Sequence, residues 1–173
     1  MRHRQPARLA DVEQPLGDRT ISVRRHEGPR DELRPLFELA EDSAIALDDY
    51  LDEGLVLVAT ADDAVVGHLQ LTPAAEAGTR EIKNMAVIEA RQGSGIGRQL
   101  VSAACELAKG DGAERLVVST AAADVGNLRF YQRQGFRMLA IERDAFTPAT
   151  GYPSRVVIEG IELRDRVWLD RPV

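Results

Sequence analysis

The sequence predicts an α/β domain in which a mixed β-sheet of about six to seven strands carries helices on both faces. Two features of the pattern predict this fold. Several apolar runs with strand character follow one another in the first half, and in the second half strands alternate with segments of helical period. With 173 residues and 44% apolar side chains, the chain is long enough for one domain with a substantial core.

The first half of the chain opens with a segment that shows no period. Residues 1–20 are polar and contain two prolines, so a flexible N-terminal tail is expected there and a single domain over 21–173. Beyond residue 20, segments with alternating apolar residues can be distinguished from segments with helical spacing. Strands are predicted over 21–23, 55–58, 65–71 and Thr79–Val87, and helices over 30–39 and 43–51.

The second half predicts alternating helices and strands. A glycine-rich turn at 91–97 leads into a helix ending near Gly110, and Gly135 is placed to end a second helix. The predicted elements are that second helix over 124–134 and strands over 115–119, 136–143 and 161–169. The connection over 144–160 is long for a compact domain, which predicts a lid or binding loop, with a disordered excursion as the alternative.

The turn at 91–97 joins a strand to a helix and carries glycines at 93, 95 and 97. This arrangement directs backbone N–H groups and the positive end of a helix dipole at one point. Glycines there leave those amides open to a ligand. The turn therefore predicts a site for an anion such as pyrophosphate, with a merely connecting turn as the alternative.

Two other phosphate motifs fit this turn poorly. A P-loop requires lysine after its last glycine, and Gly97 is followed by Arg98. The dinucleotide fingerprint requires a third glycine at the position of Arg98, and Glu114 precedes its strand where an acidic ribose ligand would follow one. A nucleotide-binding oxidoreductase is thus a weak alternative.

Composition limits the partners. A net charge of −6 argues against nucleic acid or an anionic membrane surface as the main partner, and no apolar run of spanning length occurs. No secretory signal is expected, because the arginines near the start are not followed by an apolar core. One cysteine, Cys105, fits a cytoplasmic protein without internal disulfides. With three scattered histidines, no metal site is expected.

Over about residues 56–169 the sequence resembles the GNAT superfamily of acetyl-CoA-dependent N-acetyltransferases. Three segments in the family's order carry the resemblance: the strand 81–87, the loop Gln92-x-x-Gly95-x-Gly97, and Asn127 followed by Phe130-Tyr131 and Gly135-Phe136. The resemblance implies a centrally splayed sheet and acetyl-CoA as co-substrate, with no metal.

The resemblance also implies which residues bind the cofactor. Backbone groups of the strand at Met85, Ala86 and Val87 would hold the pantetheine arm and an oxyanion, and Asn127 would contact pantetheine as well. The pyrophosphate would lie on the turn, with the Ser94 hydroxyl and Arg98 as extra contacts. The turn residues concerned are Gln92, Gly93, Ser94, Gly95, Ile96, Gly97 and Arg98.

Two residues are predicted to be catalytic. Tyr131 is the candidate general acid that protonates the CoA sulfur, with a core aromatic as the alternative. Glu81 is the candidate general base, acting through water, because a primary amine is mostly ammonium at neutral pH and must lose a proton. A surface carboxylate is the alternative for Glu81. His68 is expected on the solvated face of its strand, with the acceptor site as the alternative, and Cys105 as a buried small hydrophobe.

These expectations combine into an N-acetyltransferase that works by direct attack in a ternary complex. Six acidic residues lie within 41–53 without a basic one, so the acceptor is expected to be a small cationic amine, with a solvated helix face as the alternative. A non-catalytic acyl-CoA-binding or regulatory module on the same fold is the alternative function. The acceptor's identity, the base, closure of the 144–160 loop and assembly as a homodimer stay open.

Overall fold

The computed structural model describes residues 12–16, 19–41 and 43–173. In these residues eight strands form one mixed sheet, in the order β1-β2-β3-β4-β5-β6-β10-β7, and β8 pairs with β9 in a separate hairpin. The strands are β1 Val12–Leu16, β2 Arg19–Arg25, β3 Leu55–Ala61, β4 Ala64–Pro73, β5 Thr79–Val87, β6 Arg115–Ala121, β7 Arg137–Glu142, β8 Val157–Ile158, β9 Ile161–Glu162 and β10 Arg166–Pro172. The predicted α/β class with a mixed sheet is confirmed.

Four α-helices accompany the sheet in the described part of the chain. They are α1 Arg34–Phe37, α2 Ala44–Tyr50, α3 Ile96–Gly110 and α4 Val125–Arg133, with 3₁₀ turns at Arg30–Leu33, Glu89–Arg91 and Pro148–Thr150. Local capping explains two of the starts: Ser43 accepts the N–H of Ala46 at 3.2 Å, and Asp124 accepts that of Asn127 at 2.8 Å.

Helices cover both faces of the sheet, as expected. In β3, Leu57 packs into the core cluster that contains the apolar face of α3. Its neighbours Val56 and Val58 pack on the other face against α1 and α2, where Phe37 is fully buried. Alternation along a strand sends successive side chains to opposite faces, so β3 contributes to both layers.

The sheet opens in its middle. β5 and β6 are its parallel neighbours, and they pair only from Thr79 to Ile82 on β5, opposite Arg115 to Val118 on β6. The last five residues of β5 therefore lack a β6 partner. On its other side β5 stays paired with β4. A register shift there leaves Lys83 without a partner residue on β4. The splay that the resemblance implied is present.

The N-terminal segment departs from the expected tail. Residues 12–16 form β1, which pairs antiparallel with β2, whereas residues 1–11, 17 and 18 lie outside the described residues. The pattern over 1–20 is polar, so alternation alone did not indicate a strand there. This additional edge strand brings the main sheet to eight strands.

Two predicted elements divide into shorter ones. The strand expected over 161–169 is β9 and β10, separated by a turn in which the Asp165 carboxylate accepts the N–H of Asp144 at 2.9 Å. The helix expected over 30–39 is a 3₁₀ turn followed by α1. Pro35 lacks an N–H, which removes one α-helical hydrogen bond at that point.

Candidate functional site

A cleft of about 1110 Å³ lies at the point where β5 and β6 separate. Its walls come from β5, the turn before α3, the end of β6 and α4. The turn between α1 and α2 and the segment after β7 complete it at the other side. The cleft thus combines the glycine turn with the site residues predicted from the sequence, except Glu81 and Ser94.

Backbone groups of β5 face this opening. The N–H of Ile88 donates to Val66 on β4 at 3.0 Å, and backbone groups alternate direction along a strand. Met85 and Val87 therefore turn their backbone groups away from β4, toward the side where β6 no longer pairs. Ala86 turns its own groups to β4, and all three residues line the cleft. The strand offers an unpaired edge that another extended chain can complete.

The glycine turn leads directly into α3, as the sequence predicted. Gly95 is the N-cap residue with φ of 86°, and the first helical bond runs from the N–H of Gln99 to its carbonyl at 3.1 Å. The N–H groups of Ile96, Gly97 and Arg98 consequently lack helical acceptors. A methyl group on Gly97 would lie 3.1 Å from the Phe130 ring, so glycine lets α3 and α4 approach there.

The side chains of the turn have different roles. Gln92 donates from Nε2 to the carbonyl of Val87 at 3.1 Å, which fixes the turn against the end of β5. Ser94 donates its hydroxyl to the carbonyl of Arg91 at 2.5 Å and does not line the cleft. Gly93 and Arg98 do line it. The structure thus assigns the Ser94 hydroxyl to the turn itself rather than to the cleft.

Tyr131 lies in the wall of the cleft, on α4. Its ring is buried and makes edge contacts with Phe130 at 5.1 Å and Phe136 at 5.6 Å between centroids. Burial raises the pKa of the phenol, which keeps it protonated. Its hydroxyl has no hydrogen-bond partner among the described residues, so a ligand in the cleft can accept its proton.

Asn127 also lines the cleft, one turn before Tyr131 on α4. Its backbone N–H and its side-chain amide both donate to the Asp124 carboxylate, at 2.8 and 2.7 Å. One amide hydrogen is therefore committed to the helix cap. The short separation from Tyr131 places both residues on the cleft side of α4.

Glu81 is not brought together with Tyr131. It lies on the paired part of β5, forms an ion pair with Lys83 at 3.6 Å, and does not line the cleft. Lys83 does line it. Any proton that reaches Glu81 from the cleft must therefore pass through water or another group.

The expectation that His68 lies on a solvated strand face is wrong. Its side chain is fully buried, because α1 covers this face of β4 and the Phe37 ring lies 4.1 Å away. Nε2 donates to Asn84 Oδ1 at 2.8 Å. Burial lowers the pKa of His68 to about 4, so the ring is neutral, and it does not line the cleft.

Two further residues of the cleft, Glu41 and Tyr152, were not among the site residues predicted from the sequence. Glu41 lies in the turn between α1 and α2 and is the one member of the acidic stretch, among the described residues, that lines the cleft. Asp42 lies outside the described residues, and Asp48 pairs with Arg34 at 2.5 Å. Tyr152, in the long loop after β7, reaches Glu41 with its hydroxyl at 3.5 Å. The sequence signals were the acidic stretch that contains Glu41 and the length of the loop that contains Tyr152.

A metal site, a reactive cysteine and a membrane-spanning helix have little support in the described residues. They contain no group of three or more metal-ligating side chains. Cys105 is buried on α3, and burial raises the pKa of its thiol. None of the described helices has the length and apolar character needed to cross a membrane.

Comparison with known proteins agrees with this geometry. The family model "Acetyltransferase (GNAT) family" matches residues 22–136. The chain is 38% identical over 152 residues to the uncharacterized N-acetyltransferase YvbK of Bacillus subtilis (strain 168), covering 87% of this chain and 96% of that protein.

Solved structures with the cofactor are also similar. A Bacillus subtilis acetyltransferase in complex with CoA shares 36% identity and a TM-score of 0.79, covering 87% of this chain and 97% of that one. A GNAT family acetyltransferase from Elizabethkingia anophelis with acetyl-CoA bound shares 32% identity and a TM-score of 0.80, covering 88% and 98%.

Proposed function

The chain belongs to the acetyltransferase (GNAT) family and is an acetyl-CoA-dependent acyltransferase, and from this premise we propose that it acetylates a primary amine by direct attack in a ternary complex. The observation that carries the proposal is the cleft itself. It combines the unpaired edge of β5, the N-terminus of α3 and the phenol of Tyr131. These are a binding edge, an anion site and a proton donor.

The residues present fit acetyl-CoA. Met85 and Val87 offer backbone groups to the amides of the pantetheine arm, which would take the place of a β6 strand in the sheet. The N–H groups of Ile96, Gly97 and Arg98, at the positive end of a 15-residue helix, suit a pyrophosphate. Asn127 is the proposed further contact of the pantetheine arm.

Acetyl transfer requires a proton balance that the cleft residues can provide. The amine nitrogen forms a bond to the acyl carbon, the bond from that carbon to sulfur breaks, and the nitrogen loses two protons overall. Tyr131 gives its proton to the departing sulfur and regains one from the nitrogen. A backbone N–H at the unpaired end of β5 donates to the carbonyl oxygen as negative charge develops.

The second proton leaves through the proposed base, Glu81, and then enters solvent. The side chain of Glu81 is 17% exposed and pairs with Lys83, which lines the cleft. This arrangement supports transfer through water and not direct contact with the amine. A covalent acyl-cysteine has less support, because Cys105 is buried on the packed face of α3.

A thiol-release assay tests the proposal. Purified protein with acetyl-CoA and a panel of primary amines should release CoA only when an amine is present. Initial rates at varied concentrations of both substrates should give intersecting double-reciprocal lines, since both substrates must be bound together. Acetyl-CoA binding in calorimetry without release by any amine would instead favour a non-catalytic acyl-CoA-binding module, and NADH binding an oxidoreductase.

Assembly and location complete the proposal. We propose a homodimer, supported by the edge strand β7, on which Met138, Leu139 and Ile141 are exposed. Sedimentation velocity measures the mass directly.

A cytoplasmic location is supported by the free thiol of Cys105, and fractionation of the host cell tests it.

A further inference from the structure

We propose that the Glu41 carboxylate binds the acceptor as a primary alkylammonium ion carrying a single positive charge. This inference rests on the proposed function and identifies its substrate class. Glu41 lies in the turn between α1 and α2 and lines the same cleft as Tyr131 and the unpaired end of β5. α1 and α2, which flank this turn, pack on one face of the sheet, whereas the glycine turn leads into α3 on the other face.

The Glu41 carboxylate is held in place without being neutralised. The hydroxyl of Tyr50 donates to Oε2 at 3.3 Å, the N–H of Ser43 donates to Oε1 at 3.0 Å, and the hydroxyl of Tyr152 donates to Oε1 at 3.5 Å. All three donors are uncharged. None of the described lysine, arginine or histidine side chains forms an ion pair with Glu41. Its charge and remaining lone pairs are available to a cation in the cleft.

A buried polar chain connects Glu41 to the strand that faces the acyl group. Asn84 donates from Nδ2 to the Tyr50 hydroxyl at 2.9 Å and to the carbonyl of Phe37 at 3.2 Å, and its Oδ1 accepts from His68 at 2.8 Å. Buried polar side chains are costly unless they are hydrogen-bonded.

This chain of hydrogen bonds fixes the position of the Glu41 carboxylate. Asn84 immediately precedes Met85, whose backbone faces the opening in the sheet. Two hydrogen bonds, from Asn84 to Tyr50 and from Tyr50 to Glu41, therefore set the carboxylate relative to the acyl site. A carboxylate fixed in this way can hold an amine in one orientation toward the thioester.

Aromatic rings surround this part of the cleft. Tyr152 makes an edge contact with Phe146 at 5.0 Å between centroids, and both line the cleft. Two of these rings already have a cation over them: Lys83 Nζ lies 5.3 Å from the Tyr50 centroid, and Arg166 Cζ lies 5.0 Å from the Phe146 centroid. Aromatic rings beside a carboxylate favour an organic ammonium ion.

Positive charges near Glu41 disfavour a second ammonium group on the acceptor in that part of the cleft. Lys83 and Arg166 both line it, the first paired with Glu81 at 3.6 Å and the second with Glu142 at 3.1 Å. A second ammonium group on the acceptor would approach these cations. A monoamine is therefore favoured over a polyamine.

The test compares two acceptors that differ in charge. Phenethylamine is cationic at neutral pH, whereas aniline is uncharged. Glu41→Gln preserves the shape of the side chain and removes its charge. We expect the KM for phenethylamine to rise about tenfold or more, with a smaller change in kcat and with the KM for aniline unchanged, because charge-assisted hydrogen bonds are worth about 1.5–3 kcal/mol.

Control variants separate charge from structure. Glu38→Gln removes an exposed carboxylate that pairs with Arg34 at 3.8 Å and lies outside the cleft, and it should leave both KM values unchanged. Tyr50→Phe removes one anchor of Glu41 and should raise the KM for phenethylamine less than Glu41→Gln does. Acetyl-CoA affinity, measured by calorimetry, should be the same in every variant.

Several results would overturn the inference. A KM for phenethylamine that stays within about twofold in Glu41→Gln would do so, and so would an equal rise for aniline. If Glu41→Gln does not fold, the wild-type protein gives the answer, since its KM for phenethylamine should rise with ionic strength and that for aniline should not. If the wild-type protein releases no CoA with any amine, the proposed function fails, and not only the role of Glu41.

Discussion

His68 on β4 donates from Nε2 to Asn84 Oδ1 on β5 at 2.8 Å, and both side chains are buried. The same asparagine donates to the Tyr50 hydroxyl, so this pair forms the inner end of the polar chain that reaches Glu41. The other ring nitrogen of His68, Nδ1, is buried and has no partner. A histidinium would therefore be poorly accommodated here.

The first prediction concerns acid stability. Burial lowers the pKa of His68 from 6.5 to about 4, so below pH 6.5 the unfolded chain binds a proton that the folded protein excludes. This contribution is present above pH 6.5 and is lost as the pH falls toward 4, by about 3 kcal/mol in all. Urea unfolding at pH 7 and pH 4.5 should show a smaller loss for His68→Gln than for the wild type. Equal losses would contradict the assignment.

The second prediction concerns the acid. Tyr131→Phe keeps the ring that packs between Phe130 and Phe136 and removes only the hydroxyl. We expect kcat to fall about a hundredfold, which is typical for loss of a general acid, with little change in acetyl-CoA affinity. Steady-state kinetics measure kcat, and calorimetry measures the affinity for acetyl-CoA. Unchanged turnover over the whole pH profile would rule out this role for Tyr131.

The third prediction compares two glycines with the same backbone strain. Gly95 has φ of 86° in the turn, and Gly112 has φ of 80° after α3, away from the cleft. Alanine at either position costs about 1–2 kcal/mol of stability. Only Gly95→Ala should also weaken acetyl-CoA binding, because the shifted turn misplaces the first N–H groups of α3. Equal acetyl-CoA affinities for the two variants would argue against the turn as the anion site.

The fourth prediction tests the base. Glu81→Gln should lower kcat at neutral pH, and the deficit should shrink toward pH 10, where the alkylamine substrate increasingly lacks its extra proton. Lys83 loses its partner in this variant, so Lys83→Met serves as the control for that loss. A constant deficit at every pH would indicate a structural effect and exclude Glu81 as the base.

The local sequence pattern was sufficient to predict those elements whose residues follow the period of their own strand or helix. β5 occupies the residues expected, Thr79–Val87, and α3 ends at Gly110 as expected. The strand, the glycine turn and the following helix are contiguous, so this arrangement could be predicted from spacing alone. Tyr131 likewise lies one helical turn before Gly135, and this placed it beside the opening.

Contacts between distant segments could not be predicted in this way. The burial of His68 depends on Phe37, which precedes it by about thirty residues and covers β4 only after α1 packs. The placement of Glu41 depends on Asn84 and Tyr152, which approach it through the fold. The acidic stretch predicted a charged wall, but tertiary packing decides that Glu41 is the described member of that stretch that lines the cleft.

The parting of β5 and β6 after Ile82 leaves an unpaired strand edge at the centre of the protein, which we propose the pantetheine arm completes. Ligand that binds only the native state adds to the free energy of unfolding in proportion to the logarithm of its concentration. Resistance to proteolysis, and hence the steady-state abundance of the enzyme, should then follow the supply of its own co-substrate. When acetyl-CoA is scarce, the cell would lose the catalyst along with the acetyl donor.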